Sequence, residues 1–256
     1  MLQNNRHRTA ITLFLAALLV FALTAVASAA TNYDEALKRW SKFQEYKDNM
    51  GGRFRVRATL YTGDYIENLV QSEAEKNLWT SSELEDYKYN FLKGLNLDER
   101  IAIHLELEEL GATAHMAPFN EMIYLWIGSK KYAPVDFDQR FNLPLQGKRD
   151  GMVFFPKYDE KTGESLFNKD LSLRMVMIAA ASPVLGNTEV RYTWDIKAGD
   201  MDFASASSAA DRLEIDRLLR RMEKLSGEKA DLEAQLEGKN REIDAVRKRI
   251  EELRGH

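Results

Sequence analysis

Between Asp211 and Leu253, apolar residues recur in alternating steps of three and four, and no other feature restricts the chain so strongly. In heptad terms Ile215, Met222, Leu236, Ile243 and Ile250 take position a, while Leu218, Leu225, Leu232, Val246 and Leu253 take position d. Such spacing draws a narrow apolar seam along a helix, and a narrow seam is stable only against another helix. These residues are the expected partner-binding set. About six heptads at about 1.5 Å per residue predict a coiled-coil helix on the order of 60 Å long over 211–254. Isoleucine at a with leucine at d favours a parallel pair. Lys229 at a and Lys239 at d interrupt the seam, lowering stability while limiting how many helices pack together. In a parallel pair Glu242 would face Arg247, yet Glu228 would face Glu233 and Arg249 would face Arg254. Gly227 and Gly238 each cost about 1 kcal/mol against alanine. Three occupants of the seam are therefore open: a second copy, a different protein, or helices of the same chain.

At the other end, Arg6, His7 and Arg8 precede an apolar run from Ala10 to Val26 that closes on Ala27-Ser28-Ala29. A charged start, an apolar stretch and a small-x-small ending make a cleavable secretory signal over 1–29, with Ala30 as the first mature residue. The competing expectation is an uncleaved inner-membrane anchor, since residues 10–30 are about long enough to span a bilayer. After cleavage no membrane span is expected. The chain contains no cysteine, which removes disulfides, thiolate metal sites and a lipidated cysteine together. Export without disulfides points to a bacterial periplasmic or secreted protein. The formal net charge of -4 gives no reason to expect a nucleic acid partner.

The middle of the chain reads as a β-rich domain. Asn32 and Glu35 suit a helix start, and Leu37, Trp40, Phe43 and Met50 sit near helical spacing up to Gly51-Gly52, so an N-terminal helix is expected over 30–52. From Arg53 to Tyr61 the period falls to two, with Phe54, Val56, Ala58 and Leu60 facing one way and Arg53, Arg55, Arg57 and Thr59 the other. A helical insertion over 65–95 follows, carrying a Thr80–Glu83 capping box. Ile101, Ile103, Leu105 and Leu107 then alternate with Ala102, His104, Glu106 and Glu108. Further strands are expected at Glu121 to Ile127, Lys131 to Val135, Arg140 to Leu145, Met152 to Phe155, Leu171 to Ala179 and Glu189 to Ile196. All five prolines lie between Pro118 and Pro183, within this strand-rich half. Short strands separated by turns predict an antiparallel, immunoglobulin-like β-sandwich over 53–203, followed at 204–210 by a small-residue linker or the frayed start of the coiled-coil helix.

No HExxH, GxSxG or Gly-rich phosphate loop is present. Ser226-Gly227-Glu228-Lys229 matches a serine-x-x-lysine pattern but falls within the coiled coil, away from any cleft. His104, Glu106 and Glu108 share a strand face where a metal is conceivable. An ion ladder against Arg53, Arg55 and Arg57 is the preferred account. Were those strands apart, the bare arginines would become an anion-binding candidate. Asp159 to Glu164 reads as a hairpin turn rather than a calcium loop. Met175 and Met177 read as core, as do Trp126 and Trp194. Trp79, Tyr87, Tyr89, Tyr132 and Tyr158 lie on the insert or near turns; exposed rings there would stack on sugars, but packing of the insert against the sheet is the preferred account.

No cofactor is expected. The leading expectation is a non-catalytic, exported interaction or structural protein of the bacterial envelope, self-associating or docking a heteromeric partner through its coiled coil. The alternatives are a glycan- or peptidoglycan-binding module, or a hydrolase whose acids, drawn from Asp136, Asp138 and Asp159, are paired only by the fold.

Overall fold

The computed structural model describes residues 32–159, 161–167, 169, 171–197, 199–201, 203 and 208–254. The expected signal at 1–29, and residues 204–207 of the expected linker, lie outside them. The fold is mixed, with two antiparallel sheets and a long C-terminal helix, and the chain divides after Ala210 into two compact units.

In the first unit, residues 32–40 form helix α1. The expected helix over 30–52 ends there, because Ser41–Lys47 is strand β1, paired antiparallel to β2 (Arg53–Leu60). Cross-strand partners decide the matter: Glu45 stands opposite Arg55 and Ser41 opposite Thr59, and such pairing overrides local spacing. Gly51 and Gly52 therefore close a hairpin rather than a helix. Asp48 Oδ1 accepts from the amides of Met50 and Gly52, each at 2.8 Å, and Gly51 takes the positive φ that the turn requires.

The insertion forms two helices, α2 (Gly63–Asn77) and α3 (Ser81–Gly94). Thr62 caps the first through its side chain, and Thr80 with Glu83 makes the capping box that starts the second. Tyr65, Ile66, Val70 and Ala74 supply the buried stripe of α2. After α3 come β3 (Arg100–Ala114), the short helix α4 (Phe119–Met122), β4 (Ile123–Ile127), β5 (Lys130–Tyr132), β6 (Asp136–Phe137), β7 (Leu145–Pro156), β8 (Leu171–Met177) and β9 (Val190–Ile196). Strand order is β1-β2-β3-β7-β6 in one sheet and β5-β4-β8-β9 in the other.

The expected strand over Arg140 to Leu145 is instead a 3-10 turn, Gln139–Asn142. Asp138 caps it through the amide of Arg140 and holds the Arg140 guanidinium as well, a local alternative that outcompetes an extended backbone. At the other boundaries β8 stops at Met177, and residues 179–181 turn.

Both sheets bury the apolar side of their alternation. Ile101, Ile103, Leu105 and Leu107 on β3 and Val153 and Phe155 on β7 are buried, as are Leu125 on β4, Leu173, Met175 and Met177 on β8 and Trp194 on β9. Two buried hydrogen bonds tie β9 to the other elements. Tyr192 donates its hydroxyl to the Val56 carbonyl on β2 at 2.7 Å, and the Trp194 indole donates to the Trp40 carbonyl at 2.9 Å.

The second unit continues α5 (Ser208–Arg254), which runs unbroken through Gly227 and Gly238. No described helix is long and apolar enough to cross a membrane.

Candidate interaction surfaces

Along α5 the apolar seam lies in water. Ile215, Leu218, Met222, Leu225, Leu232, Leu236, Ile243, Val246, Ile250 and Leu253 are all exposed, between 45% for Ile250 and 63% for Leu253. Leu219 widens the stripe at a flanking e position, and its one-residue offset from Leu218 hides it in a strict a/d count. Ion pairs at helical spacing line the rest of the helix surface, among them Lys224–Glu228 at 3.9 Å and Arg241–Glu237 at 3.1 Å. Each such exposed pair supports the helix by a few tenths of a kcal/mol. Both lysines on the seam lean away from it: Lys229 lies 3.6 Å from Glu233 and Lys239 lies 2.8 Å from Glu242. Their charged heads stay in water beside those carboxylates.

A second surface is the outer face of the five-stranded sheet, where Arg55 and Arg57 of β2 meet acids of neighbouring strands in register. Arg55 stands between Glu45 and Glu108. Its Nε donates to Glu45 at 2.5 Å, and Nη1 donates to Glu108 at 3.0 Å. One row along, Arg57 reaches Glu106 at 3.6 Å, and Lys148 on β7 reaches the same carboxylate at 3.4 Å. His104 Nε2 lies 3.3 Å from Asp150. Hydrogen bonds from Lys47 and then from Arg55 pull the Glu45 carboxyl down to about 2. A shallow groove of about 440 Å³ opens here, lined by Phe43 and the charged rows.

Thus Arg55 and Arg57 meet carboxylates on neighbouring strands, and Arg53 lies one row further out between Lys47 and Leu110. The separation of strands that would leave the arginine stripe bare does not occur. The same pairing disperses the conceivable metal set, since His104, Glu106 and Glu108 turn to different partners. Among the described residues no three His, Asp or Glu side chains converge to hold a metal.

The acids considered for hydrolysis are likewise engaged separately. Asp136 receives Arg100 at 2.9 Å. Asp138 binds Arg140, whose hydrogen bonds hold its carboxyl below the usual range. Asp159 accepts from the amides of Thr162 and Lys161, and its own amide and carbonyl bond across to Glu164 and Gly163. Its loop is a hairpin turn, as the spacing suggested.

Trp194, Met175 and Met177 are core, whereas Trp126, expected there too, is not. It points to the outer face of its sheet, half-buried, with the Arg174 guanidinium 5.3 Å above the ring. The period of two settles this, since Leu125 and Ile127 take the inner face. Tyr124 shares the outer face, with Lys131 3.6 Å above its ring. On the insert, Trp79 and Tyr87 pack at 4.5 Å with planes tilted by 44°. Tyr89 accepts from Lys93, Tyr132 stands opposite Leu125, and Tyr158 bridges to Ser165.

One group went unseen in the sequence. Glu109 continues the inward series Ile101, Ile103, Leu105 and Leu107, and it is buried. Extending the period of two by one further step would have found it. Ser182 donates to its Oε2 at 2.6 Å, while Oε1 has no hydrogen-bond partner. Burial, with a smaller contribution from the Asp48 charge, raises its pKa against the hydrogen bond from Ser182.

Comparisons with protein-family models, curated proteins and solved structures find no match to this chain.

Proposed function

We propose that this is an exported, non-catalytic interaction protein of the bacterial envelope, acting through the apolar seam of α5. A single observation carries the reading: an unbroken helix of 47 residues leaves its a and d side chains exposed for its whole length. Exposed apolar surface on this scale is disfavoured in water, and a partner helix would cover it. The Ala27-Ser28-Ala29 ending supports export, and export without cysteine supports a bacterial setting.

We further infer that the two sheets of the first unit form a sandwich of immunoglobulin type. The Tyr192–Val56 hydrogen bond supports that packing, because it joins a strand of each sheet in the buried interior.

Hydrogen exchange on the full chain, purified and in native extract, tests the interaction reading. Amides between Ile215 and Leu253 are expected to exchange slowly where the seam is covered. Leu225→Glu with Leu232→Glu is expected to abolish that protection while leaving exchange in β3 and β7 unchanged. Fast exchange along α5 in both preparations would sink the reading. Mass spectrometry of the mature amino terminus tests export, with Ala30 expected first.

A further inference from the structure

We infer that the occupant of the α5 seam is a second copy of this chain, running antiparallel and displaced by one heptad. The inference rests on the interaction reading above and assigns its partner and register. An unbroken helix from Ser208 to Arg254 keeps one heptad frame throughout, so the positions facing each other in any pairing follow directly.

A parallel pair in register sets Lys229 against Lys229 and Lys239 against Lys239, two layers of facing like charge. Its flanking pairs add two repulsions, Glu228–Glu233 and Arg249–Arg254, to one attraction, Glu242–Arg247. The preference of isoleucine at a for parallel pairs is diluted by Met222 at a and Val246 at d. An antiparallel pair with full overlap is no better. There Lys229 meets Lys239 of the second copy, Arg221 flanks Arg249, and Glu228 flanks Glu242.

Sliding the antiparallel copies until Ile215 meets Val246 removes every lysine–lysine layer. Lys229 then lies on Leu232 and Lys239 on Met222, where each stem covers apolar surface and each ammonium reaches water. Leu218 meets Ile243 and Leu225 meets Leu236. The flanking positions become complementary: Glu214 faces Arg249 and Arg221 faces Glu242, each twice by the two-fold axis. The like-charged flank, Arg212 with Arg247, falls at the end of the overlap. Ile250 and Leu253 extend beyond the last apolar layer. Sliding the other way keeps one attraction, Glu228 with Arg249, and strands Ile215 and Leu218 instead. In the single helix Glu242 and Arg249 hold only exposed partners three residues away, Lys239 and Glu252, so both can turn to a second copy.

The chain has no cysteine, so disulfide trapping on the full-length protein is free of background. A mixture of Leu218→Cys and Ile243→Cys chains in a thiol–disulfide buffer is expected to give a linked dimer, with neither variant linking to itself. Self-linking of Leu218→Cys would establish the parallel register and overturn the proposal. Linking of Leu218→Cys to Ile250→Cys would establish full antiparallel overlap and overturn it equally. Glu242→Arg is expected to weaken self-association about tenfold, and Arg221→Glu added to it is expected to restore the wild-type affinity. Failure of that rescue contradicts the stagger, because the parallel register pairs Glu242 with Arg247 instead. Sedimentation of the unaltered chain as a monomer at about 50 μM would overturn self-pairing, since a pair of micromolar affinity is largely assembled there. The interaction reading would survive that result if α5 is protected in native extract, and would fall with it if α5 is not.

Discussion

The Ser182 hydroxyl donates to Glu109 Oε2 at 2.6 Å and accepts from the Val184 amide at 3.1 Å, leaving the second oxygen of that buried carboxyl without a partner. The bond orients the carboxyl but does not offset its loss of water. Leaving such an oxygen unpaired costs about 1–3 kcal/mol, and more when the group is charged.

Glu109 therefore makes the fold sensitive to rising pH. Its folded pKa lies above the unfolded value, so its contribution is fully present at low pH and is lost as pH climbs from the ordinary carboxylate range through the raised folded value. Glu109→Gln is expected to flatten this slope and to gain on the wild type at alkaline pH. Urea unfolding at a series of pH values checks it; equal slopes for the two proteins would contradict it.

Tyr192→Phe removes the donor to the buried Val56 carbonyl while keeping the ring. A loss of about 1–1.5 kcal/mol in the stability of the first unit is expected, read from the urea midpoint with an unchanged m-value.

Gly111 holds φ +97, and a Cβ there would come 3.2 Å from the Cα of Gly52. Both the left-handed backbone and the approach of the β1–β2 hairpin demand glycine. Gly111→Ala is expected to cost about 1–3 kcal/mol, whereas Gly147→Ala, at φ +81 with open space around it, should cost only the backbone part. Thermal unfolding of the two variants side by side measures the difference.

Glu45 is expected to titrate near 2, because Lys47 and then Arg55 donate to its charged form. Its depressed pKa means that its support is present above the ordinary carboxylate range and lost as pH falls toward 2. Carboxyl chemical shifts followed by NMR should show this, with Lys47→Ala and Arg55→Ala each moving the midpoint upward. A midpoint near 4 in the unaltered protein would remove the ladder's grip on this residue.

Much of the first unit was legible because its periods are clean. The alternation from Arg53 onward and from Ile101 onward and the Thr80–Glu83 box name their own structures, since each is a relation among neighbours in the chain. Ser41–Lys47 was not legible, as its apolar residues fit a helix nearly as well and only β2, across the hairpin, chooses. Trp126 and Glu109 had legible facings, but their composition argued the other way: an indole on the outside and a carboxyl within.

The linear order of residues was enough to determine the seam of α5, the opposed charges of the arginine and glutamate strands, and the capped helices between them, because all depend on spacings of two, three or four. Tertiary structure alone decided that those two charged strands are adjacent, that β1 exists, and that Glu109 loses its water. Each of these depends on which distant segment arrives alongside, and local spacing carries no information about that arrival.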